Sequence, residues 1–317
     1  MKPIVSIIIP IFNRVHLIEE TLTSILKQSF TDWECIIIDD GSTDNTIQVI
    51  EEFVKNDSRF RVYRRPSDRP KGANVCRNIG IEKAKGTYFQ FFDSDDLMSS
   101  NMLKEKVALL IQGQYDYVIS KTANFQHPDI TTIIDSHERF YTFDKYQINN
   151  INYVSQRINW LTPDFIGKSY LFKDLRFNQK LQSGQEYNLF SKLTLKNENA
   201  SVLDSYTTLR RMHDTSTRAV LNNNVIRLLD ERSLLYKETY IELKKANASK
   251  EVLNTLLKKT CVLYLQEIPS TRHLFFVFKG LTQMGRFKHA IAYTIYQISA
   301  VYLKKGYFLR KRLMQSL

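Results

Sequence analysis

The sequence predicts an α/β fold, with a mostly parallel central sheet flanked by helices and a helical C-terminal region. Apolar, β-branched runs alternate with helical patterns over the first 120 residues. Several of these runs lack polar alternation, which is typical of strands buried on both faces. Strands that alternate with helices build parallel sheets through right-handed crossovers. Between residues 225 and 264 the apolar spacing becomes helical.

The first strand and helix are predicted from the first 26 residues. A β-branched run over 4–11 is ended by Pro10, and Asn13 and Arg14 follow as a turn. Apolar residues then recur at helical spacing over 17–26, with acidic residues on the other face. We therefore expect a buried strand followed by an amphipathic helix.

The second strand is predicted over residues 33–38, and it runs directly into Asp39 and Asp40. The Thr, Asp and Asn residues at 43–46 are helix N-cap types, and the apolar spacing over 47–54 is helical. The second strand therefore presents acids at its carboxyl end.

The third and fourth strands enclose a basic loop and a helix. Residues 60–63 predict a short strand, 64–72 a basic loop with two prolines, and 73–85 a helix. Residues 86–92 predict a buried strand that enters the acidic run Asp93-Ser94-Asp95-Asp96. Ligands of open α/β sheets bind at this edge, and clustered carboxylates repel one another unless a cation neutralises them. A solvated turn or helix cap is the alternative.

Composition limits the class of protein. The 317 residues suffice for one large domain or two modest ones, and 43% hydrophobic and 25% charged residues are ordinary for a globular protein. The formal net charge is +12. Three widely spaced cysteines argue against a disulfide framework or a zinc ribbon. No signal-peptide pattern or membrane-spanning stretch is present, so we expect a cytoplasmic, basic protein.

The usual nucleotide loops are missing from this α/β pattern. The sequence has no G-x-x-x-x-G-K-[ST], and its first strand–helix turn lacks G-x-G-x-x-G. These absences disfavour P-loop nucleotidases, dinucleotide dehydrogenases and nucleotidyltransferases. A sheet edge with acids and a basic loop instead suits a metal-bridged phosphate ligand.

Four motifs in order make the sequence resemble the family 2 glycosyltransferases, which are inverting, sugar-nucleotide-dependent enzymes with the GT-A fold. They are Ser6-Ile7-Ile8-Ile9-Pro10-Ile11-Phe12-Asn13, Trp33-Glu34-Cys35-Ile36-Ile37-Ile38-Asp39-Asp40-Gly41-Ser42-Thr43-Asp44, Gly72-Ala73-Asn74-Val75-Cys76-Arg77-Asn78-Ile79-Gly80 and Phe92-Asp93-Ser94-Asp95-Asp96. The resemblance is strong over about the first 120 residues. It implies a GT-A fold and a nucleotide-sugar donor.

The resemblance implies a nucleotide-binding role for Pro10, Phe12, Asn13 and Asp40. Asp40 corresponds to the aspartate that accepts a hydrogen bond from uracil N3–H, and a carboxylate suits that donor. Pro10 and Phe12 correspond to positions against the base, where an aromatic ring can stack. The alternatives are core or turn packing for Pro10 and a purely structural turn acid for Asp39.

The acidic run matches the family's D-x-D motif. The resemblance implies that Asp95 coordinates Mn²⁺ or Mg²⁺, that Asp93 contacts ribose or metal, and that Asp96 supports them. The cation would stabilise the leaving UDP. Arg77 resembles an arginine that holds the diphosphate or the acids, with a structural salt bridge as the alternative. Arg69 and Lys71 belong to a loop that is more simply interpreted as solvated.

The catalytic base is expected further along the chain. Residues 177–190 resemble the family's F-D-E-x-L…G-E-D-Y-x-F stretch, but Gln185-Glu186 replaces its Glu-Asp pair. Glu186 therefore takes the position of the base, with one extra methylene, and either carboxylate can accept a hydroxyl proton. An ordinary acid at a helix N-terminus is the alternative. His213 lies in a stretch that resembles Y-R-x-H-x-x-S-x-S, which implies a metal or diphosphate contact; a structural histidine is the alternative.

Two regions outside these motifs complete the prediction. Residues 122–159 are polar and irregular, and we expect an insertion on the acceptor side. After Glu267 the chain has nine Lys and Arg residues and no Asp or Glu, interleaved with aromatics. Such a tail suits an anionic bilayer surface, and a helical cap with an incidentally basic face is an equal alternative. No RNA-binding signature is present, so we expect no nucleic-acid partner.

The sequence therefore predicts a GT-A catalytic domain over 1–220, with nucleotide-sugar binding over about 1–120 and the acceptor side over about 121–220, and a basic helical region over 221–317. The expected reaction moves a sugar from a UDP-linked donor to a hydroxyl of a glycan or lipid-linked glycan, in cell-surface polysaccharide or glycan synthesis. The expected location is the cytoplasm, with peripheral contact at the inner face of the plasma membrane. The rival hypothesis is a catalytically idle scaffold that binds sugar nucleotides or a membrane surface.

Overall fold

A nine-stranded sheet organises the computed structural model, which describes residues 2–212, 225–266, 274–283 and 285–316. The strands are β1 (Val5–Ile11), β2 (Trp33–Asp39), β3 (Phe60–Arg64), β4 (Tyr88–Phe91), β5 (Leu97–Met98), β6 (Tyr117–Gln126), β7 (Asp129–Asp135), β8 (Phe165–Lys168) and β9 (Ala200–Met212). The helices of the first part are α1 (Ile18–Leu26), α2 (Thr46–Val54), α3 (Ala73–Lys83), α4 (Met102–Gln112), α5 (Asn150–Ser155) and α6 (Gln185–Lys196). They are followed by α7 (Val225–Lys245), α8 (Lys250–Gln266), α9 (Leu274–Gln283), α10 (Phe287–Tyr302) and α11 (Tyr307–Ser316).

The sheet is mostly parallel, as the alternating pattern predicts. Its order is β3–β2–β1–β4–β8–β6–β9–β5, with β7 paired to β6. β1 to β4 are mutually parallel, and β6 and β9 run in the same direction, while β8, β7 and β5 are antiparallel to their neighbours. The carboxyl ends of β1, β2 and β4 consequently lie side by side at one edge.

The first strand shows why this half of the chain folds as a central sheet. Every residue of β1 is buried, because helices cover both faces of the sheet. Ile7 and Ile9 belong to one apolar core, whereas Ile8 packs with Phe91 in the core on the opposite face. Pro10 does not end the strand as expected; it lies within β1, level with Ile38 of β2.

The expectation of an irregular segment over 122–159 is wrong in part. β6 extends to Gln126 and forms a hairpin with β7, all of whose residues are exposed. A strand exposed on both faces shows no apolar alternation, so the sequence carries no strand periodicity there. α5 also lies in this segment, and the Asn149 side chain caps it by accepting a hydrogen bond from the Asn152 N–H at 2.9 Å.

The C-terminal helices contribute to two apolar cores. α7 and α8 contribute Leu235, Leu243 and Leu256 to the same core as Trp160. α9, α10 and α11 enclose a smaller core around Tyr293 and other buried residues. The division of the chain at residue 220 stays a prediction. Across the described ranges, no helix combines the length and the apolar character needed to traverse a bilayer.

Candidate active site

The carboxyl end of β2 positions Asp40 beside two hydrogen-bond donors. Its Oδ1 accepts from Arg65 Nε at 2.5 Å, and its Oδ2 accepts from the backbone N–H of Gly72 at 2.9 Å. Gly72 precedes α3 with a φ of 142°, a backbone conformation that favours glycine. The basic loop thus folds back onto the strand end and holds the Asp40 carboxylate in a fixed, largely buried position.

The neighbouring Asp39 has a local structural role. Its carboxylate accepts from the backbone N–H groups of Gly41 and Ser42, at 3.2 and 3.0 Å. Such side-chain-to-backbone bonds close an Asx turn. Asp39 is 2% exposed, so the structure agrees with the turn-acid interpretation of this residue.

The loop after β1 is bonded to the loop after β2. Asn13, in a left-handed conformation, donates its N–H to Ser42 Oγ at 3.0 Å, and its Oδ1 accepts from the Thr43 N–H at 2.8 Å. Phe12 is 40% exposed, and Lys71 Nζ lies 5.3 Å from the centre of its ring. Pro10 is buried in the sheet, in agreement with the core-packing alternative. The exposed ring of Phe12 therefore provides an apolar surface on which a planar ligand could stack.

The acidic run after β4 turns sharply. Its carboxylates therefore do not alternate between the two faces of the sheet, as side chains of a strand would. Ser94 and Asp95 form a turn. Asp93 Oδ1 lies 2.6 Å from Arg77 Nη2, and Asp95 Oδ2 lies 3.2 Å from Arg14 Nε. The two acids of the D-x-D motif are thus each paired with a different arginine.

Asp96 is the buried member of the acidic run. One of its oxygens accepts from the backbone N–H of Arg211 at 3.0 Å. Burial, with the negative charges of Asp95 and Asp93, raises the pKa of Asp96 well above its ordinary value. Burial and the two neighbouring carboxylates therefore both disfavour the charged form of Asp96.

The donor set fits a divalent cation that is shared with a ligand. The carboxylates of Asp93 and Asp95 are hard oxygen donors, the type that Mg²⁺ and Mn²⁺ accept. Within the described ranges, no group of three His, Cys, Asp or Glu side chains is arranged to bind a metal. Ligand phosphates and water would complete the coordination of such an ion. His213, the third expected ligand, lies outside the described residues.

Arg77 serves the site from α3. Its side chain is 3% exposed, its guanidinium lies 5.4 Å from the Phe177 ring centre, and its Nε has no hydrogen-bond partner among the described residues. The structure is consistent with both interpretations of Arg77, a structural salt bridge and a contact with the ligand diphosphate. It forms a salt bridge with Asp93, and it keeps a buried donor unused.

The segment that leads to Glu186 is attached to α3. Asn74 Nδ2 donates to the carbonyls of Asn178 and Leu181, at 2.9 and 2.8 Å. Asn78 exchanges two buried hydrogen bonds with the backbone of Phe177. The helix that carries Arg77 therefore also anchors the chain that enters α6.

Glu186 lies in the first turn of α6 and is half-buried. Gly184 precedes the helix with a φ of 66°, and a Cβ at this position would come within 2.4 Å of Leu235. The Glu186 carbonyl accepts from the Tyr153 hydroxyl at 3.3 Å. Backbone packing on both sides of Glu186 thus fixes the position of the first turn of α6.

Sequence reasoning missed two arginines of the site, Arg14 and Arg211. Arg14 follows the first-loop motif directly, and only its pairing with Asp95 reveals its role. Arg211 is buried: its Nε donates to the Asp95 carbonyl at 2.8 Å, and its Nη2 lies 2.8 Å from Glu20. Arg211 lies two residues before His213, and this closeness to a predicted site residue was the one signal in the sequence that could have identified it. Arg211 supports the turn that carries the acidic run.

Comparison with known proteins identifies the family. Residues 6–176 match the family model described as Glycosyl transferase family 2. This match covers more than half of the chain. The chain belongs to glycosyltransferase family 2. The resemblance drawn from the four motifs is therefore confirmed.

Curated relatives agree with this membership. An uncharacterised glycosyltransferase of Rickettsia felis is 28% identical over 264 residues, which are 83% of this chain and 41% of that protein. The Escherichia coli protein named UDP-Glc:alpha-D-GlcNAc-diphosphoundecaprenol beta-1,3-glucosyltransferase WfgD is 34% identical over 115 residues, 36% of this chain and 44% of that protein. This chain thus spans less than half the length of these relatives.

The solved structures establish the fold. The structure of Staphylococcus aureus TarS 1–349 superposes with a TM-score of 0.69 at 18% identity, covering 99% of this chain and 92% of that one. Its complex with UDP-GlcNAc gives a TM-score of 0.67 at 19% identity, covering 99% and 91%. The expected GT-A fold, with its helical C-terminal region, is confirmed.

Proposed function

We propose that this protein is an inverting glycosyltransferase that moves a sugar from a UDP-linked donor to an acceptor hydroxyl. One observation carries the proposal: Asp40, Asp93 and Asp95 meet at one sheet edge in a family 2 chain, each held by a different arginine. Binding of UDP-GlcNAc by TarS and the UDP-Glc in the name of WfgD support a uridine nucleotide.

Uracil recognition falls to Asp40 and Phe12. The Asp40 carboxylate is held by Arg65 and Gly72, and each of its oxygens keeps a lone pair that can accept the uracil N3–H. The exposed ring of Phe12 offers a stacking surface close by in the same loop system. Asn13 holds this loop in place through its bonds to the β2–α2 turn.

The diphosphate belongs at the D-x-D motif. Asp93 and Asp95 would hold Mn²⁺ or Mg²⁺, together with His213, and a bound cation would supply Lewis-acid stabilisation of the leaving UDP. Arg77 and Arg14 would hold phosphate oxygens once they are no longer needed to neutralise the two acids.

Glu186 would act as the general base. Its carboxylate accepts the proton of the acceptor hydroxyl while that oxygen attacks the anomeric carbon from the face opposite the diphosphate. The new glycosidic bond forms as the bond from the anomeric carbon to the phosphate oxygen breaks, so the anomeric configuration inverts. The attachment of residues 177–181 to α3 keeps this base in register with Arg77.

The biological setting is also part of the proposal. The diphosphoundecaprenol acceptor in the name of WfgD supports a glycan or lipid-linked glycan acceptor in cell-surface polysaccharide synthesis. We place the enzyme in the cytoplasm, at the inner face of the plasma membrane, where such acceptors are presented. We assign residues 1–220 to catalysis and 221–317 to the helical region.

UDP release from a panel of sugar nucleotides, with Mn²⁺ or Mg²⁺, tests the proposal. Asp95→Asn should reduce metal-dependent release at least about 100-fold, because one charged donor is lost. Glu186→Gln should lower kcat about 100-fold or more while UDP affinity stays within a few-fold. Asp204→Asn, on an exposed acid of β9, and Glu198→Gln, just beyond α6, are the matched controls.

Two results would overturn the proposal. One is the absence of release or transfer with every donor; the other is an Asp95→Asn variant with unchanged activity. Donor binding without turnover, unaffected by Glu186→Gln, would instead favour the idle scaffold that the Gln185-Glu186 departure motivates.

A further inference from the structure

Helix α10 has an apolar face on each side. Its inward face packs Ala290, Tyr293, Tyr296, Gln297 and Ala300 into the C-terminal core. Its outward face carries an apolar stripe, which we define as Phe287, Ile291, Ile295, Ile298 and Tyr302. These five side chains are between 40% and 71% exposed. An ordinary surface helix presents polar residues on its outward face, so this stripe requires an explanation.

The geometry of the stripe is regular. At 3.6 residues per turn, its five members fall within roughly 80° of the helix circumference, opposite the packed face. They extend along the full length of α10, which is about 24 Å for its 16 residues. The stripe is therefore a continuous strip of apolar surface.

Lysines lie at both ends of the stripe. Lys288 is exposed within the first turn of α10, and Lys304 and Lys305 are exposed directly after its last turn. Lys311 adds another exposed charge on α11. The sequence from 268 to 317 contains no acid to compensate them. Apolar surface edged by lysines, in a segment that carries no acid, matches a lipid layer with anionic headgroups.

We propose that the apolar stripe of α10 docks this protein on an anionic lipid surface, with α10 parallel to the membrane plane. The stripe enters the boundary between headgroups and acyl chains, and the flanking lysines contact the anionic headgroups. This mode of attachment requires no spanning helix. It goes beyond the proposed glycosyl transfer and does not depend on it.

Charge favours lipid over a second copy of the chain. A symmetric contact through the stripe would place Lys288, Lys304 and Lys305 of one copy near the same lysines of the other. Like charges at such an interface oppose association. An anionic bilayer supplies the opposite charge together with the apolar phase.

Vesicle co-sedimentation of the full chain tests the proposal. Vesicles of phosphatidylcholine with 30% phosphatidylglycerol (about one lipid in three, enough for a strong negative surface) are compared with vesicles of phosphatidylcholine alone. Ile291→Gln/Ile295→Gln/Ile298→Gln should lower partitioning onto the anionic vesicles about 100-fold, because three apolar insertions are lost. Lys304→Gln/Lys305→Gln should lower it about 30-fold and should weaken its salt dependence.

The hairpin strand β7 provides a matched control. Ile130, Ile133 and Ile134 are 45%, 48% and 49% exposed, close to the three stripe isoleucines. Ile130→Gln/Ile133→Gln/Ile134→Gln should leave partitioning unchanged. Because all six isoleucines are exposed, circular dichroism should show that both triple variants remain folded.

Three results would overturn the proposal. The first is equal partitioning onto anionic and neutral vesicles, and the second is an equal loss in the stripe and control variants. The third is light scattering that shows a wild-type dimer which the stripe variant converts to a monomer, since the stripe would then be a protein interface. UDP release measured on the stripe variant without vesicles separates lipid docking from catalysis, and it should match the wild type.

Discussion

The attachment of Phe177 to α3 allows a sharp test of how the site is held together. Asn78 Nδ2 donates to the Phe177 carbonyl at 2.9 Å, and the Phe177 N–H donates to Asn78 Oδ1 at 3.0 Å. Asn78 is 3% exposed and Phe177 is 2% exposed. One side-chain amide therefore satisfies both backbone polar groups of a buried residue.

Asn78→Ala should remove both bonds and leave a buried N–H and a buried carbonyl without partners. Each unpaired buried group costs about 1–3 kcal/mol, so the free energy of unfolding should fall by about 3–4 kcal/mol. Asn199→Ala is the control. Its Nδ2 donates to the Gln114 carbonyl at 3.1 Å on an exposed surface, and its loss should cost less than about 0.5 kcal/mol.

The same substitution should reduce turnover more than nucleotide binding. Residues 177–181 lead to Glu186, whereas Asp40 is held from β2 and the basic loop. We expect kcat to fall at least about tenfold through mispositioning of the base, with UDP affinity within about threefold of wild type.

Urea titration and UDP-release kinetics, both performed where the variant is fully folded, measure the two effects of Asn78→Ala. If the free energy of unfolding falls by less than about 1 kcal/mol, the two buried hydrogen bonds do not contribute to stability as proposed. Equal losses of kcat and UDP affinity would refute the proposed separation between base positioning and nucleotide binding.

Three further predictions concern the supports of the fold and site. Burial lowers the pKa of Lys106, so the unfolded chain binds more protons than the folded chain on the alkaline side of neutrality, and stability should rise with pH there. Urea titrations between pH 7 and pH 9 should show that Lys106→Met reduces this rise, and the remainder comes from Lys259, whose pKa burial lowers to about 8. Arg211→Met should cost about 3 kcal/mol in the same assay, because the Asp95 carbonyl loses its buried donor; a cost below about 1 kcal/mol contradicts this. Gly184→Ala should cost about 1–2 kcal/mol, since its φ is 66° and a Cβ would contact Leu235; an unchanged melting temperature would refute it.

Much of the first 120 residues could be predicted because the signals in that part of the sequence are local. Buried strands appear as unbroken apolar runs, and each places its next residues at the sheet edge; Asp40 and Asp93 are therefore visible from the sequence. The same locality explains the errors. β7 has no buried face to leave a pattern, and Pro10 keeps its place in β1 although proline usually ends such a run.

The sequence by itself determined the family, the parallel sheet and the acids that end its strands, because these depend on the order of residues along the chain. Only the tertiary structure decided which arginine faces which acid. Arg14 meets Asp95 across 81 positions, and the Arg211 N–H meets Asp96 across 115. Such pairings depend on where elements cross in space, and no local pattern encodes them. Likewise, only packing decided which face of α10 is buried, and it left the apolar stripe exposed.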